Sequence, residues 1–459
     1  MKCNKGLGLL LALLLLLLPV TPAFADSQPE IRNIILMIGD GMGPNHLTLA
    51  REHGVDLFMD RNANAYGYSR TRSADHEVTD SAAGGTALAC GVRTLNRAIG
   101  TYQNDPAGVI FAPISIAEAA KSRGMRTGVV TTDLTSGATP SCFSAHTRDR
   151  GNEAEITAQQ LASGYDLIWG NAVEQTDRAA VEAAGWTWVS TRQEMEALPV
   201  GSRSFGQFTG DTWRTTLEPE GDVPMLAGMT EKAIALLSAN NTKGFFLMVE
   251  GAHIDKMSHK TQKNEDGTKD PNYASKVERT VDAMRGFDNA VRAAVEFAAK
   301  DGHTVVLVTA DHETGDLRPE NGVMTFHSGS HTAVNVPVLV FGAKVIENGE
   351  VLDNKAIPAR LAAVCGWNAD VFPAARTVSA ALFGDVDADG RISASDARLV
   401  LRRSVALEAY AEETLPYLVS DVDADGMVSA GDARSILRAS VGLEDAADWR
   451  AAFWARANA

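Results

Sequence analysis

The chain has 459 residues, a hydrophobic content of 45% and a formal net charge of −16 at pH 7. This length exceeds one average domain, so we expect two or three folded units with a sizeable buried core. No basic stretch offsets the acidic charge, which argues against a surface built to bind nucleic acid.

Residues 1–25 are typical of a signal peptide. Lys2 and Lys5 precede an apolar run, and the segment "TPAFA" ends on small residues at Ala23 and Ala25. The apolar run is shorter than the ~20 residues that a membrane span needs. We therefore expect cleavage after Ala25, a secreted mature chain and no membrane span; a retained membrane anchor is the alternative.

Three cysteines remain after that cleavage: Cys90, Cys142 and Cys365. An odd number cannot pair completely within one chain, and no C-x₂-C spacing indicates a cysteine metal site. We therefore expect mainly buried free thiols and no disulfide scaffold.

Strand-like and helix-like segments alternate over residues 26–380. The apolar runs "NIILMI", "RTGVVTTD", "GFFLMVE" and "TVVLVTAD" predict buried strands. Residues 114–124 and 273–302 have helical spacing, the second with a break expected near Gly286. This alternation predicts a three-layer α/β fold with a mostly parallel sheet flanked by helices. Residues 151–245 contain no readable motif, and we expect supporting helices and surface loops there.

Side chains that bind metals follow the predicted strands. Strands of an open α/β sheet end at a common edge, so the residues after them come together. Carboxylates and imidazoles gathered there suit divalent cations. For any one of the acids, a helix cap or a solvated loop position is an equally good interpretation. The candidates are Asp40, Glu250, Asp255, His259, Asp311, His312 and His331.

Ser81 is the candidate nucleophile. It precedes small residues that suit a helix, and the N–H groups at a helix N-terminus face anions such as phosphate. Taken alone, a capping serine explains this pattern equally well. Beside a metal cluster, however, a cation can lower the pKa of the serine hydroxyl and activate it.

Seven segments in order resemble the alkaline phosphatase family over residues 34–342: "MIGDGMG", "VTDSAAGGTA", "GATP", "AHTRDR", "VEGAHIDKMSH", "TADHETG" and "SHTAVNVPV". The resemblance implies an alkaline-phosphatase-like fold for residues 26–380. It also implies a hydrolase that cleaves small phosphomonoesters through a phosphoserine at Ser81. A phosphodiesterase of the same superfamily and a non-catalytic phosphate-binding subunit are the alternatives. A homodimer is left open.

The same resemblance implies residue roles. It assigns one zinc ion to Asp255, His259 and His331, and a second zinc ion to Asp40, Asp311 and His312. It assigns a magnesium ion to Asp40, Thr139 and Glu250. It makes Ser81 and Arg150 catalytic and gives Arg150, Lys256 and Asp80 contact with substrate, Asp80 by orienting Arg150. His327 competes with His331 as a zinc ligand, and the "HT…VPV" context favours His331.

One position departs from the family. Two residues before Thr139, where the family usually has Asp or His, this chain has Gly137. We therefore expect a weaker or more hydrated magnesium site. Only 18 residues separate His312 from His331, so no large insertion covers the predicted pocket, which favours a broad range of substrates.

The C-terminal region contains a duplication. Residues 385–408 align with residues 421–444, and 17 of the 24 positions are identical, which excludes chance. Each copy has the D-x-D-x-D-G pattern of a calcium loop, with a glycine where the loop turns sharply. The predicted calcium ligands are Asp385, Asp387, Asp389, Ser393 and Asp396, and then Asp421, Asp423, Asp425, Ser429 and Asp432.

Each loop is followed by one helix and lacks the entering helix of an EF-hand. Residues 383–445 resemble a type I-like dockerin module, followed by a tail at 446–459. This resemblance implies two calcium ions and docking to a cohesin domain of an extracellular scaffold. It would place the protein at the cell surface, as part of a cellulosome.

Overall fold

A large three-layer sheet structure dominates the computed structural model of this chain. The structure describes residues 30–102, 112–174, 176–210, 212, 222–259, 273–367, 384, 386, 391–405, 420, 422, 428–445 and 449. The predicted signal peptide, most of the predicted tail and the calcium ligands Asp385, Asp387, Asp389, Asp421, Asp423 and Asp425 lie outside the described residues.

The central sheet has ten strands in the order β14-β2-β13-β8-β1-β7-β3-β4-β6-β5. All paired neighbours are parallel except β13, which runs antiparallel to β2 and β8. The predicted mostly parallel α/β sheet is therefore confirmed. The strands are β1 (Asn33–Ile38), β2 (Ala65–Arg70), β3 (Arg126–Leu134), β4 (Leu167–Asn171), β5 (Thr187–Val189), β6 (Ser204–Phe208), β7 (Phe245–Glu250), β8 (Thr304–Thr309), β13 (Val336–Phe341) and β14 (Val351–Asp353).

Two short antiparallel pairs lie outside this sheet: β9 (Glu313–Thr314) with β12 (His331–Thr332), and β10 (Leu317–Glu320) with β11 (Val323–Phe326). The helices of the described chain are α1 (Pro44–Glu52), α2 (Phe58–Asn62), α3 (Ser81–Cys90), α4 (Ile116–Ser122), α5 (Ala138–Ser141), α6 (Glu153–Ala162), α7 (Arg178–Ala183), α8 (Arg192–Ala197), α9 (Leu226–Ser238), α10 (His253–Ser258), α11 (Tyr273–Asp301), α12 (Ile357–Val364), α13 (Ala394–Ser404) and α14 (Ala430–Ser440), with a 3₁₀ turn at Asn354–Ala356.

Helices cover both faces of the sheet. Ile34 and Leu36 of β1 enter one apolar cluster together with α3, α4 and α12. Ile35 and Met37 enter a second cluster with α1, α9 and α11. Because successive side chains of a strand point to opposite faces, continuous apolar runs such as "NIILMI" are the pattern of a strand buried on both sides.

The register of the strands brings the predicted ligand positions together at the carboxyl ends of the central strands. Ile38, the last residue of β1, pairs with Glu250 of β7 on one side and with Thr309 of β8 on the other. Asp40 and Asp311 each follow two residues later, so they share an edge with Glu250. The sheet therefore delivers three acids to one place.

The structure differs from the sequence prediction in two elements. Helix α11 runs unbroken from Tyr273 to Asp301, and Met284 and Phe287 on either side of Gly286 are buried in the second apolar cluster. The predicted supporting region 151–245 contains helices but also β4, β5 and β6, which extend the sheet. These strands are three to five residues long, and two contain glycine, so they lack the long apolar pattern.

The two C-terminal helices, α13 and α14, have matching hydrogen bonds at their N-terminal ends. The carboxylate of Asp396 accepts hydrogen bonds from the backbone of Val386 (2.6 Å) and Ser393 (2.8 Å). The carboxylate of Asp432 accepts the equivalent bonds from Val422 (2.9 Å) and Ser429 (2.8 Å). The described residues of the duplicated sequence therefore form two helices with matching hydrogen bonds at their starts.

The expectation for the cysteines is met within the described residues. Cys90, Cys142 and Cys365 are free thiols, and the first two are buried. None of the helices described has the length and apolar content that crossing a membrane would require.

Two glycines at strand starts allow a matched test of backbone packing. Gly244 (φ +82°) and Gly302 (φ +72°) both adopt the left-handed conformation before a strand, but a Cβ on Gly244 would lie 1.9 Å from the Arg32 carbonyl oxygen, whereas Gly302 faces open space. Gly302→Ala should cost about 1–2 kcal/mol for the conformation alone. Gly244→Ala should cost clearly more in the free energy of unfolding by urea. Equal losses in the two variants would contradict this packing.

Candidate metal centre and active site

The first ligand cluster contains Asp255, His259 and His331. Asp255 and His259 lie one turn apart at the end of α10, and Asp255 Oδ2 is 3.1 Å from His259 Nε2. Strand β12 pairs with β9 and brings His331 Nε2 to 3.5 Å from Asp255 Oδ1 and 3.3 Å from His259 Nε2. The three ligand atoms lie within 4.8 Å of one another, the spacing that a bound cation requires. His327 is not among the residues that converge there.

The second cluster lies against the first. His312 is fully buried, and its ring stacks on that of His331 at a centroid distance of 3.5 Å. His312 Nε2 lies 3.2 Å from Asp311 Oδ2 and 3.5 Å from Asp40 Oδ1. Asp255 also reaches this cluster, because its ligand atom lies within 4.8 Å of those of Asp40 and His312. Asp255 therefore lies between the two groups.

Oxygen acceptors orient all three imidazoles. His259 Nδ1 bonds to the Gly329 carbonyl at 2.8 Å, and His331 Nδ1 bonds to the Thr79 carbonyl at 3.0 Å. Because a carbonyl can only accept, each Nδ1 carries the proton and each Nε2 offers its lone pair to the cluster.

Thr314 orients the third imidazole. Its hydroxyl donates to Asp255 Oδ1 at 2.5 Å and therefore accepts from His312 Nδ1 at 3.2 Å. His312 Nε2 is then left as an acceptor that faces Asp40, Asp311 and the candidate nucleophile. The sequence prediction gave Thr314 no role. Its position two residues after His312 could have indicated one, because from there its hydroxyl reaches two predicted ligands.

Ser81 is the first residue of α3. Its hydroxyl lies 3.2 Å from His312 Nε2, and Asp80 caps the helix by accepting from Ala83 N at 3.0 Å. The helix approaches the ligand loops closely because it is built from small residues. A Cβ on Gly84 would lie 2.8 Å from the Asp311 carbonyl oxygen, and one on Gly85 would lie 3.0 Å from Cys142 Sγ.

Arg150 reaches the same place from another loop. Its Nη1 donates a hydrogen bond to Asp80 Oδ2 at 3.2 Å. The backbone of Arg97 donates to the same Asp80 oxygen (3.1 Å) and accepts from Arg150 N (2.8 Å). The Arg97 side chain also makes two bonds to Asp149, at 2.8 and 2.7 Å. Arg97 thus holds Asp80, Asp149 and the backbone of Arg150 together, and sequence reasoning missed it.

The third group surrounds Glu250. This acid is buried and accepts a hydrogen bond from the Thr131 hydroxyl, whereas the nearby hydroxyl of Thr139 is buried and makes no hydrogen bond. Lys256 forms an ion pair with Asp133, a residue that the sequence prediction did not include. The structure therefore gathers all the predicted zinc and magnesium ligands at one edge, together with Ser81, Arg150 and Lys256.

Like charges dominate the electrostatics of the site. Burial and the nearby Asp311 raise the pKa of Asp40 well above its usual value. Burial and Asp255 raise the pKa of Asp311 to about 6, and burial and Asp133 raise that of Glu250 to about 8. Against the effect of burial, the neighbouring imidazoles of His259 and His331 hold the pKa of Asp255 well below its usual value.

Divalent cations fit this arrangement. Asp40 Oδ1 and Asp311 Oδ2 are buried and make no hydrogen bond, although unsatisfied buried carboxylate oxygens are costly. Imidazole nitrogens and carboxylate oxygens in this mixture suit zinc, and the oxygen-only group at Glu250 suits magnesium. Bound cations would remove the repulsion between the acids and satisfy both oxygens.

Comparison with known proteins is consistent with this site. A family model described as alkaline phosphatase matches residues 31–177 and 170–339. Alkaline phosphatase 4 of Bacillus subtilis is 33% identical over 366 residues, covering 73% of each chain. The alkaline phosphatase of Escherichia coli is 32% identical over 363 residues, covering 64% of this chain and 72% of the relative.

Solved structures of alkaline phosphatases are also similar to this chain. The alkaline phosphatase from the Antarctic bacterium TAB5 aligns with a TM-score of 0.60 at 28% identity, covering 74% of this chain and 99% of that chain. A His-to-Asp mutant of that enzyme has Mg bound in its M3 site. The Thermus thermophilus alkaline phosphatase has a TM-score of 0.62 at 21% identity, covering 74% and 92% of the two chains, which supports the fold alone.

Stabilisation by cations should increase with pH. The raised pKa of Glu250 means that its contribution to the stability of the metal-free fold is lost as the pH rises from about 4.5 towards about 8. A cation binds the ionised carboxylate, so it should raise the unfolding temperature more at pH 9 than at pH 6.

The measurement is thermal unfolding of chelator-treated protein at both pH values, with and without equimolar zinc and excess magnesium. Glu250→Gln should reduce the pH dependence of the metal-free form. An equal gain from cations at pH 6 and pH 9 would refute the predicted protonation of the cluster.

Proposed function

The chain belongs to the alkaline phosphatase family, and from this premise and its site geometry we propose that it hydrolyses phosphomonoesters through a phosphoserine at Ser81, with two zinc ions and one magnesium ion. The observation that carries the proposal is the position of the Ser81 hydroxyl. It lies at a helix N-terminus, 3.2 Å from His312 Nε2. It also lies next to buried acids whose repulsion divalent cations would relieve.

The residues divide into three cation sites. Asp255, His259 and His331 would hold one zinc ion; Asp40, Asp311 and His312 would hold the second; Asp40, Thr139 and Glu250 would hold magnesium. When bound, the cations would lower the pKa of the serine hydroxyl and stabilise negative charge on the phosphoryl oxygens.

The chain's own groups supply binding and orientation. Arg150 has a planar guanidinium, which can bind two phosphoryl oxygens at once, and Asp80 holds that group in place. The N–H groups at the start of α3 face the same phosphoryl group. Ser81 Oγ forms a bond to phosphorus as the bond to the ester oxygen breaks, and the alcohol leaves. Water then attacks phosphorus, the bond to Oγ breaks, and phosphate is released.

We further propose that the protein is secreted and attached to a scaffold through its C-terminal repeats. The matching hydrogen bonds of Asp396 and Asp432 support two calcium loops of identical design. The two helices also present the same apolar positions to solvent: Leu401 and Leu437 are 48% and 47% exposed, and they are equivalent in the repeat. Paired exposed leucines are the kind of surface that a cohesin domain would cover.

Removal of the nucleophile tests the catalytic proposal. Ser81→Ala should reduce kcat for an aryl phosphomonoester by at least about 10³-fold, because the covalent step is lost. Ser122→Ala, which changes a serine at the end of α4, should leave kcat unchanged. The assay uses zinc- and magnesium-loaded protein at alkaline pH, with the matching diester in parallel.

Three results would reject the proposal in different ways. Unchanged turnover by Ser81→Ala would reject the phosphoserine. Preferential cleavage of the diester would favour the phosphodiesterase alternative. Tight phosphate binding without turnover in the parent protein would favour a non-catalytic binding subunit.

Calcium tests the C-terminal proposal. Calcium should protect the repeats from proteolysis, and Asp396→Ala with Asp432→Ala should abolish that protection because both loops lose a ligand. Asp56→Ala, which changes an exposed acid paired with Arg61, is the control and should retain the protection by calcium.

The exposed leucines test docking. Leu401→Glu with Leu437→Glu should abolish binding to an immobilised type I cohesin, while protection by calcium persists. Protection that is independent of calcium would contradict the loop assignment.

A further inference from the structure

The backbone at Gly137 leaves no room for a side chain, because the Asp133 side chain and the Leu134 carbonyl fill that space. A Cβ on Gly137 would lie 2.8 Å from Asp133 Oδ2, 2.9 Å from the Leu134 carbonyl oxygen and 3.0 Å from Asp133 Cγ. The backbone φ of −54° is ordinary, so conformation alone does not require glycine here. The carboxylate of Asp133 therefore occupies the place where the family's Asp or His would begin.

Asp133 is held in that place from both sides. Its Oδ1 accepts from the Lys256 ammonium group and from Leu134 N at 2.7 Å. Its own N–H donates to the Thr131 hydroxyl at 2.8 Å, and this hydroxyl in turn donates to Glu250. The end of β3 thus connects Asp133 to a predicted magnesium ligand and to the predicted phosphate-binding lysine.

A ligand is indicated independently of this acidic pair. Thr139 Oγ1, which belongs to the predicted third site, is buried and without a hydrogen-bond partner. Asp133 also lies close enough to Glu250 for its charge to act on that carboxyl group. A cation between these oxygens would balance several negative charges, of which Lys256 neutralises only one.

We propose that Asp133 replaces the side chain missing at Gly137 and serves as the positioning carboxylate of the third cation site, where it also holds Lys256. This inference rests on the proposed magnesium site and changes the expectation drawn from Gly137 alone. The acidic group is not lost from this chain; it is supplied from four residues earlier, at the end of a sheet strand. Glycine at 137 leaves this space to the Asp133 carboxylate and the Leu134 carbonyl.

The competing interpretation is a simple ion pair at the rim of the site. Asp133 is 18% exposed and Lys256 is 43% exposed, and pairs of this kind contribute little to stability. Such a pair would have no specific effect on magnesium. The two interpretations therefore differ in cation affinity, which can be measured without substrate.

The test is magnesium affinity of the zinc-loaded full chain, followed through the rise in unfolding temperature with MgCl₂ concentration and through bound metal content. Asp133→Asn should weaken magnesium binding about 10–100-fold, the usual effect of losing a group that supports a metal site. Zinc content should stay at the parental value. Asp166→Asn is the matched control. Asp166 also pairs with a lysine, Lys121 at 3.1 Å, but it directly precedes β4 and so lies at the amino ends of the strands, away from the cation sites.

Lys256→Met separates the carboxylate from its ion pair. It removes a positive charge near the site, so magnesium binding should stay as tight as in the parent or become tighter. The double variant Asp133→Asn/Lys256→Met should still bind magnesium more weakly than Lys256→Met alone.

Clear outcomes overturn the proposal. Magnesium binding by Asp133→Asn within twofold of the parent, with zinc retained, would reduce Asp133 to a rim ion pair. Equal affinities of the double variant and Lys256→Met would mean that Asp133 only neutralises the lysine. If the parent binds no magnesium, the third site and the role of Asp133 are both rejected. If the variants change magnesium affinity as expected but the parent protein has no phosphatase activity, only the proposed function is rejected.

Discussion

Repulsion among buried carboxylates is the constraint on which the rest of this site depends. The register of β1, β7 and β8 brings Asp40, Glu250 and Asp311 to one edge, and α10 adds Asp255. Taking several like charges out of water without partners is costly, and the raised pKa values of three of these acids reflect that cost. A fold that places them together needs cations or protons, and the surrounding groups favour cations.

The orientation of the three histidines explains why the site favours cations over protons. His259, His331 and His312 each place Nδ1 on a protein oxygen, so that each Nε2 is an acceptor aimed inwards. One of these oxygens is the carbonyl of Thr79, two residues before Ser81. The same hydrogen bond therefore orients a predicted zinc ligand and fixes the start of the nucleophile helix. Ligand geometry and nucleophile position are not independent features of this chain.

The sequence predicted the strands and ligands that have strong local patterns, and it missed the groups that act across long sequence separations. Continuous apolar runs followed by acids identified β1, β7 and β8, because burial on both faces leaves a clear signature. Strands β4 to β6 are short and escaped notice. Nothing in the local sequence marks Thr314 and Asp133; the fold brings them to Asp255 and Lys256, and it places Asp133 in the space beside Gly137.

The small residues after Ser81 show how packing carries a functional constraint. Small residues suit a helix, but glycine is a poor helix former, and "AAGG" would be an unfavourable choice for helix stability alone. A Cβ at Gly84 would meet the Asp311 carbonyl, and one at Gly85 would meet Cys142, which follows Thr139 by three residues. The glycines let α3 lie against the loops of two predicted cation sites at once. Local helix stability is sacrificed so that the Ser81 hydroxyl lies within reach of the cluster.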